Sequence, residues 1–233
     1  MKILQSRTPS AIGFSGRSIK TEFLMVNNCS SSNMGIIVSF INQTHKYNYI
    51  SIDQCETKTG GSLNPNFGNC SLSNINLTSL TSPLENGAIF IGNSPSQYCV
   101  TNVNLINNNQ REGYSVSSKN QTNAQISKFV NFVNSNYSIV FRFWPHVLEL
   151  ENICIFGCLS TGLLTTVGSP TYTFLNCFTD NDSYVTTFAK TEFTTNSIPG
   201  FTIQYNPSIY YCTIAVAKSN YALFQYFMPF ILL

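Results

Sequence analysis

The sequence predicts an all-β protein, a right-handed parallel β-helix (a solenoid) of about seven or eight rungs with a period of about 25 residues. Three observations predict this fold. A glycine that precedes a short apolar run recurs at a fixed spacing, a second apolar motif recurs in step with it, and the residue types suit strands and turns. A unit of this length cannot bury a core alone, so successive units must stack.

The composition favours strands and turns and argues against a nucleic-acid partner. Of the 233 residues, 43 % are hydrophobic, which is enough to bury a core, and only 9 % are charged. Apolar strand-forming residues are interleaved with Asn, Ser and Thr, a mixture typical of strands joined by polar turns. The net charge of +2 comes from scattered Lys and Arg. This pattern leaves no basic footprint, so no nucleic-acid partner is expected.

Glycines at a fixed spacing form the first motif. Gly35 in "MGIIVSF", Gly61 in "GGSL", Gly87 in "NGAIFIG" and Gly113 in "EGYSV" follow one another at 26-residue intervals. Gly162 in "TGLLTTV" continues the series less strictly. Because glycine adopts the positive φ that a sharp corner can require, we predict corner glycines at these five positions. A strand that begins a new side of the coil follows each of them.

The second motif lies upstream of each glycine and reads apolar-x-apolar-x-x-(Cys, Asn or a small residue). Examples are Leu24/Val26/Cys29 and Ile50/Ile52/Cys55. The alternation places two apolar side chains on one face of a strand. Equivalent residues of a parallel coil stack about 4.8 Å apart. We therefore predict a structural ladder made by the last residue of the motif, comprising Cys29, Cys55, Asn108, Cys158 and Cys177.

A leucine-rich-repeat solenoid is the alternative fold, because units such as "VTNVNLINN" match part of its spacing. That repeat requires a helical segment after the Asn or Cys position. The corresponding segments here, such as "SSSNMGIIVSF" and "ETKTGGSLN", show no helical periodicity. The pattern therefore favours the β-helix.

Gly-Ala-Ile at 87–89, with "LINN" at 105–108 and "FLNC" at 174–177, resembles the paired GGA(I/L/V) and FxxN repeats of polymorphic outer-membrane-protein-type surface proteins, as in chlamydial and trichomonad surface families. The resemblance covers residues 20–200 approximately. It implies a right-handed β-helix that is displayed outside the cell and used in adhesion. The expected function is a non-enzymatic surface or secreted module for adhesion or scaffolding, at an extracellular or cell-surface location. The expected partner is a host or cell-surface protein or glycan.

The domain organisation predicted from the repeat has three parts. Residues 1–18 are an N-terminal extension or cap, 19–215 form the β-helix repeat domain, and 216–233 are an apolar C-terminal cap or a truncated anchor. The C-terminal apolar stretch is too short to span a bilayer as a helix, so membrane contact is expected only through a missing or truncated anchor. A fragment of a larger repeat protein, without independent function, is a further alternative.

The residues offer little for catalysis, and we predict no catalytic, cofactor-binding or metal-binding residue and no cofactor. A polysaccharide lyase or glycoside hydrolase on the β-helix fold is the alternative function, and it would need clustered carboxylates. Asp180 and Asp182 are a pair of carboxylates that are close in the sequence, and we expect them at a polar corner between strands. His45 and His146 lie about 100 residues apart and have no suitably spaced nucleophile.

One ligand patch is predicted, within "FRFWPH" at 141–146. Arg142 and Trp144 are two residues apart and therefore share one face of a strand. A cation beside an indole ring can bind a sugar ring or a carboxylate there. Edge packing near Pro145 is the structural alternative for the same two residues.

Eight cysteines leave free thiols and disulfides as alternatives. Stacked ladder cysteines have parallel Cβ vectors, which make the disulfide torsion unfavourable. We therefore expect mostly free ladder thiols. Cys70, Cys99 and Cys212 lie off the ladder register and are the expected partners of any disulfide.

The second strand of each unit raises a question of phase, because the side chains expected to point outward are apolar. Such a face requires a covering layer, an association surface or the opposite phase. The residues concerned are Ile37, Leu63, Ile89, Ile91, Val140, Trp144 and Leu164.

Overall fold

The chain forms strands throughout the part that the computed structural model describes, which is residues 2–4, 7–92, 98–117, 125–144, 147–166, 171–175, 177–181 and 193–194. No helix occurs among these residues, and so none that is long and apolar enough to cross a membrane. The strands are β1 Lys2–Leu4, β2 Arg7–Asn27, β3 Ser30–Asp53, β4 Glu56–Thr57, β5 Leu63–Asn66, β6 Asn69–Thr78, β7 Thr81–Gly92, β8 Tyr98–Ile106, β9 Asn109–Ser117, β10 Gln125–Val133, β11 Asn136–Phe143, β12 Val147–Phe156, β13 Leu159–Thr166, β14 Thr171–Leu175, β15 Cys177–Thr179 and β16 Phe193–Thr194.

All strand pairs in the described part of the chain are parallel, and each strand there pairs with the equivalent strand one repeat away. The result is a β-solenoid of about five turns with a period of about 26 residues, which fits a right-handed parallel β-helix. The predicted fold class is therefore confirmed. The helical side of a leucine-rich repeat has no counterpart in the described residues. The predicted seven or eight rungs extended to residue 215, and beyond residue 181 only 193–194 are described.

Two ladders of strands share the coil. The first ladder contains the C-terminal half of β3 followed by β6, β8, β10 and β12. The second ladder contains the N-terminal half of β3 followed by β5, β7, β9, β11 and β13. Strand β2 begins at Arg7, and its first half already pairs with β3. The described strands thus include part of the region 1–18, which was predicted as an N-terminal extension or cap, while 216–233 lie outside the described residues.

The corners between the ladders are formed by left-handed residues, most of which are not glycine. Asn28, Gln54, Ser79, Asn107 and Asn134 have φ between 47° and 55°, and Gly157 continues the column with φ 61°. A second bend lies five residues earlier in each coil, where positive φ recurs. Asn tolerates a left-handed φ better than other non-glycine residues. It occupies three of the five non-glycine positions of the first corner, the column from Asn28 to Gly157. The second bend is formed by Phe23, Tyr49, Asn74, Asn102, Phe129 and Asn152.

The five predicted corner glycines are not part of these two columns of left-handed residues, which corrects their assignment. Gly35, Gly87, Gly113 and Gly162 are inside strands, and of the five only Gly35 has a positive φ, at 134°. Gly113 is also one position out of register, because Gly87 pairs with Glu112. Close approach of neighbouring backbone explains glycine at Gly87, since a Cβ there would overlap the carbonyl group of Glu112.

Gly61→Ala should test this role of close approach. A Cβ at Gly61 would lie 2.7 Å from the Cβ and 2.8 Å from the N of Phe90. These atoms belong to the backbone or are fixed to it, so we expect the unfolding free energy to fall by about 2 kcal/mol, as for overpacked sites. Gly162→Ala is the matched control, because its Cβ would meet only the flexible end of Ile139, at 3.2 Å. Equal urea midpoints for the two variants would contradict the explanation.

Most residues of the predicted outward face of the second ladder point into the core, which corrects the phase for them. Ile37, Leu63 and Ile89 are stacked in register and fully buried. The two-residue alternation fails because the backbone N–H groups of both Ile36 and Ile37 donate to the Ser62 carbonyl, so two consecutive side chains turn inward. Ile91 and Val140 are also buried, Leu164 packs against the core, and Trp144 is half-buried.

Candidate functional site

The predicted ligand patch lies on the outer face of the second ladder. Phe141 and Phe143 are fully buried in the core, and the alternate residues Arg142 and Trp144 are half-buried. Arg142 pairs in register with Ser115, which pairs with Phe90 one rung earlier. The backbone N–H of Trp144 donates to the Val116 carbonyl at 3.0 Å and fixes the end of the strand. We call Phe90, Glu112, Ser115, Arg142 and Trp144 the Arg142 patch.

Arg142 is held between a carboxylate and an aromatic ring. Its Nη1 donates to Oε1 of Glu112 at 2.5 Å, and its guanidinium carbon lies 4.6 Å from the centre of the Trp144 ring. The hydroxyl of Ser115 donates to the other carboxylate oxygen of Glu112. Arg142 thus makes the cation–π contact that the sequence suggested, with its position set by Glu112.

Burial differs between the two charged partners. The Glu112 side chain is 2 % exposed, whereas the Arg142 side chain is 32 % exposed. The Nε of Arg142 is buried without a hydrogen-bond partner. Glu112 therefore acts as a buried support for an arginine that remains accessible. The sequence analysis missed Glu112 because the spacing of the glycines placed Gly113 beside Gly87, whereas the residue that pairs with Gly87 is Glu112.

Of the five residues predicted to form the structural ladder, four stack in one column at the corner of the coil and Cys177 does not. At the corner, the residue that follows each ladder residue donates its backbone N–H to the carbonyl of the ladder residue one rung earlier. Glu56 donates in this way to Cys29, and Asn136 to Asn108. Cys177 lies elsewhere, because its neighbour Phe178 pairs with Cys154, inside a strand of the first ladder. We call the corner column the corner ladder, and its members are Cys29, Cys55, Leu80, Asn108, Ser135 and Cys158.

A row of buried asparagines on the first ladder was also missed. Asn104 donates to Asn76 at 2.8 Å, and Asn131 donates to Asn104 at 2.9 Å. These residues pair in register on the first ladder and are buried. The signal was an asparagine between the two apolar residues of successive motifs, as in "INL", "VNL" and "VNF". Amide-to-amide bonds of this kind tie neighbouring rungs together.

The seven cysteines in the described part are free thiols, including Cys70 and Cys99, while Cys212 lies outside it. The backbone N–H of Cys29 donates to the sulfur of Cys55 at 3.3 Å, so the stacked thiols pack without bonding covalently. Burial raises the pKa of the Cys55 thiol to about 12 and that of Cys158 to about 11. These groups stay protonated at neutral pH.

Alkylation should therefore distinguish the thiols by burial. We expect iodoacetamide at pH 8 to label Cys99, which is half-exposed, while Cys55 and Cys158 stay unlabelled until the protein is unfolded. The reason is that the thiolate is the reactive form. Raising the thiol pKa from 9.0 to about 12 lowers the thiolate population of Cys55 about a thousandfold, and raising it to about 11 lowers that of Cys158 about a hundredfold. Peptide mapping by mass spectrometry gives the readout. Equal labelling of Cys55 in the native and unfolded protein would contradict the burial.

The remaining polar candidates have structural partners. The Nδ1 of His45 is 2.8 Å from the hydroxyl of Ser39, and its Nε2 is 2.6 Å from the Phe67 carbonyl, inside the core. Asp180 accepts a hydrogen bond from the backbone N–H of Gly157 at 2.7 Å. Asp182 and His146 lie outside the described residues. Within the described ranges, no group of three or more His, Cys, Asp or Glu residues could hold a metal ion.

The fold and the Arg142 patch define a parallel β-solenoid protein with a charged and aromatic cluster on one outer face. No family model, no curated protein and no solved structure matches this chain.

Proposed function

We propose that the chain is a non-enzymatic surface or secreted module that presents a long binding face, as an adhesion or scaffold element. The Arg142 patch carries this proposal. It projects an accessible cation and an aromatic ring from a face whose alternate side chains are locked in the core. Binding residues on rigid strands lose little conformational entropy on association. The resemblance to GGA(I/L/V) and FxxN surface proteins supports the same role, and an extracellular or cell-surface location belongs to the proposal.

A binding assay that also detects catalysis tests this function. The purified chain is applied to immobilised collagen, fibronectin, laminin and a panel of extracellular glycans, and retained protein is measured together with released reducing ends. We expect saturable retention on at least one surface and no product above the buffer control. Release of sugar products would favour the carbohydrate-active enzyme, and no retention on any surface would contradict the adhesion role.

A further inference from the structure

We infer that the Arg142 patch binds an acidic glycan, a chain of sugars that carries carboxylates. This inference rests on the proposed adhesion function and names the ligand class of its site. Three features carry it: an accessible guanidinium, two aromatic side chains, and the distance between them along the solenoid.

The guanidinium of Arg142 supplies the charge recognition. One of its five N–H donors binds Glu112, and the ring of Trp144 lies against its face. These contacts fix its orientation before any ligand arrives. Arginine binds carboxylates through a planar fork of donors, and about a third of this side chain is exposed. A ligand carboxylate can therefore accept from the outward N–H groups without displacing Glu112.

The aromatic side chains supply the sugar recognition. Phe90 and Trp144 are both half-buried, so each keeps an exposed part of its ring. The C–H face of a sugar ring packs on such apolar surfaces, while the sugar hydroxyls stay in water. A simple anion would use Arg142 but not Phe90.

The spacing suits a ligand that is longer than one sugar. Phe90 and Arg142 are separated by one rung, which is occupied by Ser115, so they lie about 9–10 Å apart along the solenoid axis. Ser115 is fully buried and does not project between them. A chain of sugars can therefore contact Phe90 and Arg142 together, whereas a single sugar is shorter than this separation.

Trp144 makes the test direct, because it is the one tryptophan of the chain and its fluorescence reports on this site alone. The probes are a hyaluronan hexasaccharide, which alternates acidic and neutral sugars, and chitohexaose, which has the neutral amide sugars without carboxylates. Hexaglutamate is added as a non-sugar polyanion. We expect a saturable change in Trp144 fluorescence with the hyaluronan hexasaccharide and none with the other two probes.

Variants separate recognition from folding. Arg142→Lys keeps the charge opposite Glu112 but loses the planar fork, and we expect about tenfold weaker binding of the hyaluronan hexasaccharide. Arg111→Ala is the matched control, because Arg111 is exposed and contacts the Leu84 carbonyl instead. We expect it to bind like the unmodified chain.

Three outcomes would overturn the inference: no saturable change with the hyaluronan hexasaccharide, an equal response to hexaglutamate, or equal effects of Arg142→Lys and Arg111→Ala. Its failure is distinguishable from failure of the adhesion function. Retention of the chain on a protein surface, with a silent Trp144 titration, would leave adhesion standing and remove only the glycan.

Discussion

Replacing Asn108 with alanine is expected to lower the unfolding free energy by about 3 kcal/mol. Asn108 is 1 % exposed and joins three rungs. Its Oδ1 accepts from the backbone N–H of Leu80 at 2.9 Å, and its Nδ2 donates to the Leu77 carbonyl at 3.1 Å and to the Tyr137 hydroxyl at 3.4 Å. Alanine removes these bonds and leaves the buried N–H of Leu80 without this acceptor. The cost includes the desolvation of that group as well as the lost bond.

Urea denaturation of Asn108→Ala and Asn109→Ala measures this effect with a matched control. The two residues are adjacent and chemically identical, but Asn109 is exposed. We expect Asn109→Ala to change the unfolding free energy by less than about 0.5 kcal/mol. Similar midpoints for the two variants would show that the side-chain bonds of Asn108 contribute little to the stacking of the rungs.

The corner ladder shows what the sequence could predict. Its positions follow from counting residues between equivalent apolar pairs, and this count placed Cys29, Cys55, Asn108 and Cys158 in one column. The count failed at Cys177, where the spacing between units shortens and the chain is still inside the strand. The residue before each ladder position was the unused signal. It is Asn in three of the six corners and takes the left-handed conformation that had been sought at glycine.

The inward and outward phase could not be predicted from alternation. A pattern of period two assumes an unbroken strand, whereas Ile36 and Ile37 share the carbonyl of Ser62 and both turn inward. Such an irregularity depends on how one rung sits on the next. The glycines that accompany it are visible in the sequence, but nothing local distinguishes a glycine needed for close approach from one needed for a corner.

The candidate site was predicted only in part, because spacing within one strand can be read from the sequence and contacts between strands cannot. That Arg142 and Trp144 share a face follows from their spacing within one strand. Their support by Glu112 depends on a contact between strands 30 residues apart. A glycine count that is wrong by one position removes Glu112 from the site. Residue-level contacts between rungs thus require the register, which only the structure supplies.

Arg142→Ala is expected to lower the unfolding free energy by about 3 kcal/mol, because it leaves the carboxylate of Glu112 buried and unpaired. In a Glu112→Gln background no buried charge remains, and the amide can still bond to Ser115. The same arginine replacement should then cost about 1 kcal/mol, the value of the lost packing on Trp144. The difference between the two costs is the coupling energy of a double-mutant cycle, measured by urea denaturation. An equal cost in both backgrounds would show that Arg142 contributes through packing alone. The charge of Glu112 would then have no structural role, and the argument that it orients the arginine for a ligand would fail with it.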